Sequence, residues 1–565
     1  PAGPCPAVFD ELILTIIRAP QVYAGADAAT CQGTPYTVND ATASDYLTLT
    51  WSENGAGSIT AGQGTLTPTY TPGAAEANTT VTLTLTATGN SPCASVSDTK
   101  TLWVDRAPVA TVGPVQEICN NTSASLSGNS PASGTFGEWT FINNLVWQET
   151  FSESPQYATS GAEWTTSGIT PDSDTYFHVD ARRMAGRDLD AEAVWRSDPI
   201  PIASVSPVEV SVYLQEIGSM ESNDYIRVYY SINGGAESLF STNGNNTGNF
   251  GSRTASVTNI SGNNLRIIIR CRNNDPNEYH LFDNIVVRQV TAQSEPTITT
   301  ITSPTSAVSG LWQGDNLFRW SVFSNHGGCD SASAIYTIRR DISPAAASAG
   351  PAQAFCETDN TVLAANAATN GGTGTWSLVS GSGTVAEPNN PLSAVSGLGY
   401  GANTFRWTIT SELGICSATN STVTITRNRN PLDLSGNVTI VKNPVCYNEP
   451  GQLEITGTEA DVKYYLRTGG VDGAYVQGNG GTITLTTPPL ISATTYEIHA
   501  IKDITGCEII FGSYTINVNP EFSLAQLYAS HNICAGATTT ISVVLTGGTG
   551  SYNISGMTVL IIPLI

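Results

Sequence analysis

The stretch SPTSAVSGL (303–311), followed by Phe318-Arg319-Trp320, returns as NPLSAVSGL (390–398), followed by Phe405-Arg406-Trp407. Each match is displaced by 87 residues, and Cys329 meets Cys416 at the same offset. A fixed period of this size marks tandem domains. Within the repeated stretch Phe318, Trp320 and Val322 alternate with polar residues. Val81, Leu83 and Leu85 do so in TVTLTLTAT, as do Tyr496, Ile498 and Ala500. Period two means strands with one buried face. Clusters of Gly, Pro, Asn and Ser separate the runs, and no long amphipathic helix pattern occurs. The expected fold class is all-β.

The cysteines keep the same rhythm. Cys31 to Cys119 is 88 residues, Cys356 to Cys446 is 90 and Cys446 to Cys534 is 88. A second cysteine follows the first by 62 (Cys93 after Cys31), 60 (Cys416 after Cys356) and 61 (Cys507 after Cys446). This spacing predicts one long-range disulfide inside each domain: Cys31 with Cys93, Cys119 with Cys329, Cys356 with Cys416, and Cys446 with Cys507. Buried free thiols are the alternative. Each bridge would stabilise its domain by about 4 kcal/mol in the chain-entropy account. Zinc sites want close cysteine pairs, and no C-x-x-C occurs. Disulfides imply an oxidising, extracytoplasmic compartment. Cys5 reads as the second cysteine of a preceding domain and Cys534 as the first of a following one, so the chain reads as a piece of a longer protein.

The interval from Cys119 to Cys329 breaks the rhythm at 210 residues. Trp139 lies 20 residues after Cys119, as Trp376 lies 20 after Cys356. From Trp139 to Ser303 is 164 residues, whereas Trp376 to Asn390 is 14, an excess of 150. An independent domain is therefore expected inside a repeat. Lengthening a loop from about 60 to about 210 residues costs only about 1 kcal/mol. The expected layout is the end of a preceding repeat at 1–20, then an Ig-like repeat at 21–106. A split repeat follows at 107–142 plus 293–342, with the insert at 143–292. Two more repeats occupy 343–430 and 431–520, and the start of another lies at 521–565.

A Trp about 20 residues after the first Cys matches an immunoglobulin-like sandwich core. Trp51, Trp139 and Trp376 hold that place, and Tyr465 or Leu466 stands near it in the last full repeat. The insert offers strands VEVSVYLQEI, DYIRVYYSI, NLRIIIRCR and LFDNIVVRQV, with Asn233-Gly234-Gly235 as a hairpin turn. A two-sheet jelly roll is expected there, with Cys271 as a buried thiol.

Asp and Glu outnumber Lys and Arg by 47 to 23 in 565 residues, a net charge of −24. That balance argues against nucleic acid and against anionic lipid. No apolar stretch reaches the length of a membrane span. The five histidines are dispersed and no G-x-S-x-G occurs, so no catalytic set is expected. Asp188, Asp190 and Glu192 alternate, and in an extended segment would point to one side.

The segments GRDLDAEAVWRSDPIPI (186–202), SNDYIRVYYSINGG (222–235) and EYHLFDNIVV (278–287) resemble a jelly-roll module common in secreted proteins of Bacteroidota. The surrounding motifs GTGTW, SAVSGL and FRW resemble the Ig-like repeats of very large surface adhesins of those bacteria, including gliding-motility adhesins exported by type IX secretion. The resemblance implies a Ca²⁺ shared between the first and last strands of the insert, with Glu149 and Asp283 as ligands and Asp188 as the next candidate. Tyr279 and His280, in a polar loop, are the candidate ligand-binding pair. Asp330-Ser331-Ala332 is similar to a short bacterial O-glycosylation motif. The expected function is a non-enzymatic cell-surface adhesin or stalk, presenting a module for a glycan or surface ligand. The alternatives are an ancillary binding region of a secreted polysaccharide-degrading enzyme, or a component held by secretion-machinery or filament partners.

Overall fold

The computed structural model describes residues 10–152, 154–155, 157–169, 175–529 and 541–547. Cys5 and Cys534, and most of the expected end segments, lie outside them. Among the described residues the fold is all-β, and the helical element is the single 3-10 turn Ser435–Asn437. The chain divides into two compact units, 1–343 and 344–565.

The first unit opens with an Ig-like sandwich. Its larger sheet runs Ala28–Cys31, Val96–Asp105, Thr79–Gly89, Tyr46–Glu53, and its smaller sheet runs Tyr36–Thr37, Thr69–Thr71, Ser58–Ala61. Strand Thr79–Gly89 buries Val81, Leu83, Leu85 and Ala87 and leaves the intervening threonines half-exposed, as period two requires. The first strand pairs in parallel with the last, so Cys31 lies opposite Asp105.

The second sandwich has the same order: Gln116–Cys119, Ala332–Asp341, Gly314–Ser324, Thr135–Phe141 in one sheet and Ser123–Ser125, Ala307–Ser309, Thr297–Ile298 in the other. Its strands come from both sides of an inserted domain. Trp139 faces Trp320 in register, with ring centroids 4.9 Å apart. A Cβ on Gly137 would fall 2.2 Å from the Trp320 ring. The glycine of the motif therefore lets the facing indole lie on the backbone.

The insert is two packed sheets around the largest apolar core, with Trp164, Trp195, Phe151, Phe177 and Phe282 at its centre. One sheet contains Leu145–Glu149, Tyr176–Asp180, Arg183–Arg187, Tyr279–Gln289, Val208–Ile217 and Ser252–Ile260. The other is built on Ala193–Ser197, Asn264–Arg272 and Tyr225–Ile232. Cys271 is fully buried in this core. The incoming and outgoing strands pair antiparallel, Leu145 opposite Arg288. At this neck Asn143 accepts from Leu317 N and donates to Asp315 O, at 2.7 Å each. Arg288 holds Glu295 at 2.9 Å and donates to Phe141 O at 3.0 Å. The guest thus leaves and re-enters the host at a neck where its ends already meet.

The second unit repeats the pattern once closely and once with variation. Strands Gln353–Cys356, Thr419–Asn428, Gly401–Thr410 and Thr373–Ser380 form the larger sheet of the third sandwich. Trp376 faces Trp407, ring centroids 5.1 Å apart. Asn403, 1% exposed, donates to the carbonyls of Gly399, Gly401 and Ile425 and accepts from Ser382 N. Asn316 makes the matching bonds to Trp312, Gly314 and Ile338. These asparagines fasten the strand start in both repeats. The fourth sandwich has no tryptophan pair, and Tyr464, Leu466 and Ile498 fill its centre.

Candidate functional site

The cystines differ from the one-per-domain expectation. Cys31 is bonded to Cys329 of the second sandwich, with Cα atoms 4.5 Å apart and a sequence separation of 298. Cys356 is bonded to Cys507 of the fourth, with Cα atoms 5.6 Å apart and a separation of 151. Cys119 and Cys416 are also disulfide-bonded. Cys93 and Cys446 are free thiols, so the expected pairs Cys31–Cys93, Cys119–Cys329, Cys356–Cys416 and Cys446–Cys507 are replaced. The reason is polarity of the sandwich. Cys31 ends a strand beside Asp105, the last residue of Val96–Asp105, whereas Cys93 sits in the turn before Val96. The two lie at opposite ends of a strand about 30 Å long, and a disulfide needs Cα atoms within about 7 Å. The cysteine at the far end of one sandwich instead meets the turn cysteine at the near end of another.

The Cys31–Cys329 junction is built to receive this bond. Asp105, 2% exposed, accepts from His326 N at 3.1 Å and Gly328 N at 2.8 Å, and its other oxygen is 2.8 Å from His326 Nδ1. The His326 ring stacks on Trp103, centroids 4.9 Å apart. A Cβ on Gly328 would fall 2.7 Å from Thr30 O, so this position in the turn is fitted to glycine. In the second unit Glu357, next to Cys356, accepts from Tyr400 OH at 2.6 Å and Asn430 N at 2.8 Å.

Of the expected metal residues, Glu149 and Asp283 lie near enough to act on each other, while Asp188 stands apart in a turn. Asp188 lies in a tight turn at φ 51°, with Asp190 N bonded to its carbonyl, not in an extended segment. Glu192 is engaged by Arg270 at 2.5 Å and by Tyr225 OH at 2.7 Å. Glu149 accepts from Phe151 N at 2.6 Å. Asp283 feels Glu149 and Glu138, but also the guanidinium of Arg183, and it acts in turn on Arg182. Burial first, then the two glutamates, pushes the Asp283 carboxyl up to about 8.

That shift gives a prediction. The folded-state pKa lies above the unfolded value of about 3.9, so the native state binds more protons between those limits and stability falls as pH rises through them. Asp283→Asn is expected to stabilise the insert by at least about 1 kcal/mol at pH 8 and by nothing at pH 3. Urea unfolding at the two pH values measures it; an equal effect at both would refute it.

His280 is fully buried against Phe250, its pKa lowered to about 3 by burial, and with Tyr279 it lies on a strand rather than in the polar loop expected of the ligand-binding pair. Tyr279 lies on the opposite face of the same strand, near Tyr176 and Arg187. The structure instead opens a cleft of about 800 Å³ between the split sandwich and the insert. Trp147, Glu149, Glu163, Glu138, Arg319 and Asp330 line it. Trp147 Nε1 donates to Glu163 at 2.6 Å, and Arg319 Nε is buried without an acceptor. Burial raises the Glu138 carboxyl although Arg182 opposes it. Ser331 of the motif Asp330-Ser331-Ala332 is also on this lining. Sequence reasoning missed the cleft, because its two walls come from segments separated by the insertion.

These features define a class: tandem Ig-like sandwiches cross-linked by cystines between neighbouring repeats, with a jelly-roll guest in one of them. No protein-family model and no curated protein matches the chain. Among solved structures, the K2 cleaved adhesin domain of Lys-gingipain is similar at 16% identity over 26% of this chain and 98% of that one, TM-score 0.19. The K3 domain of the same protein from Porphyromonas gingivalis is similar at 12% over 25% and 96%, TM-score 0.18. The D1–D4 ectodomain fragment of ICAM-5 is similar at 11% over 88% and 99%, TM-score 0.31.

Proposed function

We propose that this chain is a non-enzymatic section of an extracellular adhesin stalk, with the cleft beside the insert as its ligand-binding place. The observation that carries the reading is the cystine between successive sandwiches. A bond from the far end of one repeat to the near end of the next adds nothing to catalysis and restrains bending and separation at the junction. Disulfides of this kind persist in oxidising, extracytoplasmic surroundings. Among the described residues no helix is long and apolar enough to cross a membrane. The cleft combines an aromatic face at Trp147 with carboxylates and Arg319, the chemistry that recognises a glycan. Type IX export and a surface anchor belong to the same reading and rest on the motif resemblance.

A glycan array probed with the full chain tests the ligand. Binding to one glycan class, lost at least about tenfold in Trp147→Ala and Glu163→Gln, is the expected result, since one well-packed contact contributes about 1.4 kcal/mol or more. Silence on the array, or binding indifferent to both substitutions, would remove the glycan from the proposal.

A further inference from the structure

A second acidic cluster in the insert stands apart from the expected metal set. Among the described residues, Glu221, Asp224 and Glu278 are the one group of three metal-ligating side chains whose ligand atoms lie within 4.8 Å of one another. Asp224 is fully buried and Glu278 is 2% exposed. Asp224 Oδ1 and Glu278 Oε2 are buried with no hydrogen-bond donor. Two buried anionic oxygens left without a donor are costly unless a cation meets them.

Local structure fixes their positions. Asp224 closes the turn Glu221–Asp224, its second oxygen accepting from Glu221 N at 2.6 Å, and it precedes strand Tyr225–Ile232. Glu278 closes the turn Asp275–Glu278 and precedes strand Tyr279–Gln289 in the other sheet. A Cβ on Gly218 would fall 3.0 Å from Glu278 Cγ and 2.7 Å from Asn277 O, so glycine lets this turn approach. Burial and then Asp224 and Glu221 raise the Glu278 carboxyl, and no basic side chain is among the causes. That separates the cluster from Asp283, where Arg182 and Arg183 already supply positive charge.

We propose that Glu221, Asp224 and Glu278 form a Ca²⁺ site that clasps the two sheets of the insert. Ca²⁺–oxygen distances of 2.3–2.6 Å allow two ligands of one ion to stand up to about 5 Å apart, which the cluster meets. The preference for oxygen donors and the open side at exposed Glu221, where water completes the shell, favour Ca²⁺ over zinc. The site is independent of the cleft and of the adhesin reading.

Isothermal titration of the EDTA-treated full chain with CaCl₂ is the test. The wild type is expected to bind with Kd of about 10⁻³ M or tighter. Glu221→Gln, at the exposed position, should weaken binding about tenfold or more without disturbing the fold, and Asp224→Asn with Glu278→Gln should abolish it. The double variant should melt, in EDTA, no lower than the wild type, because the uncompensated charges are gone. Glu149→Gln should titrate like the wild type. No heat up to about 10 mM CaCl₂, above the weakest extracellular modules, would overturn the proposal. So would unchanged affinity in Glu221→Gln or a loss in Glu149→Gln equal to that of the double variant.

Discussion

Pulled from its two ends under oxidising conditions, the chain is expected to keep hidden the entire stretch between Cys31 and Cys329, 298 residues apart. Tension entering at strand Ala28–Cys31 crosses the sulfur bridge to Cys329 and continues into strand Ala332–Asp341. The remainder of the first sandwich, half of the second and the whole insert lie on the slack side. A second bridge shelters the stretch from Cys356 to Cys507, 151 residues apart. Reduction with dithiothreitol should release about 1,000 Å of contour length from the first stretch and about 500 Å from the second, at about 3.4 Å per residue. Cys31→Ser should free without reductant only part of that length, up to the bonded Cys119. Single-molecule force extension reads both. An unreduced wild-type chain that paid out the insert would contradict the assignment of the bridge. Had each cystine closed its own domain, reduction would add one length of about 700 Å, from Cys119–Cys329, and three of about 200 Å instead.

The second large effect belongs to a glycine. Gly374 sits in strand Thr373–Ser380 under the Trp407 ring, and a Cβ there would fall 2.1 Å from Trp407 Cζ2. Trp407 is 1% exposed, and its Nε1 donates to Asn366 O at 3.1 Å, so the ring cannot swing aside without losing that bond. Gly374→Val should cost the third sandwich about 3 kcal/mol or more, from overpacking plus a broken buried hydrogen bond. Gly436→Ala, where a Cβ would meet nothing within 4 Å, should change stability by less than about 0.5 kcal/mol. Urea midpoints of the two variants decide the matter. A Gly374→Val protein as stable as the parent would show that the indole is not held as described.

Much of the architecture is legible in the amino-acid order, because period-two patterning and an 87-residue echo are local and repetitive signals. The all-β class, the tandem sandwiches and the guest follow from them, as does the burial of Trp51, Trp139 and Trp376. The cysteine partners were not legible from spacing alone. Spacing says where a cysteine stands within its repeat, while pairing depends on which pole of the sandwich that place occupies. The turn residues Asn325-His326-Gly327-Gly328 before Cys329 carried the missing information, since they put that cysteine in a hairpin end rather than in a strand. The surroundings of the expected metal residues were hidden for a related reason. Asp188 lies in a turn rather than along an extended strand, and Arg183 comes near Asp283 only because its strand pairs with Tyr279–Gln289. The acidic cluster combines turns 54 positions apart in sequence, Asp224 and Glu278, brought together by the packing of one sheet on the other, which no local pattern specifies.

The neck at Asn143 and Arg288 has a meaning for how such chains diversify. Trp139 meets Trp320 across the guest as Trp376 meets Trp407 with nothing between them. The host therefore keeps its register whatever is carried in that loop. A scaffold of this kind can exchange one passenger module for another as a cassette, changing what it displays while leaving the frame that holds it intact.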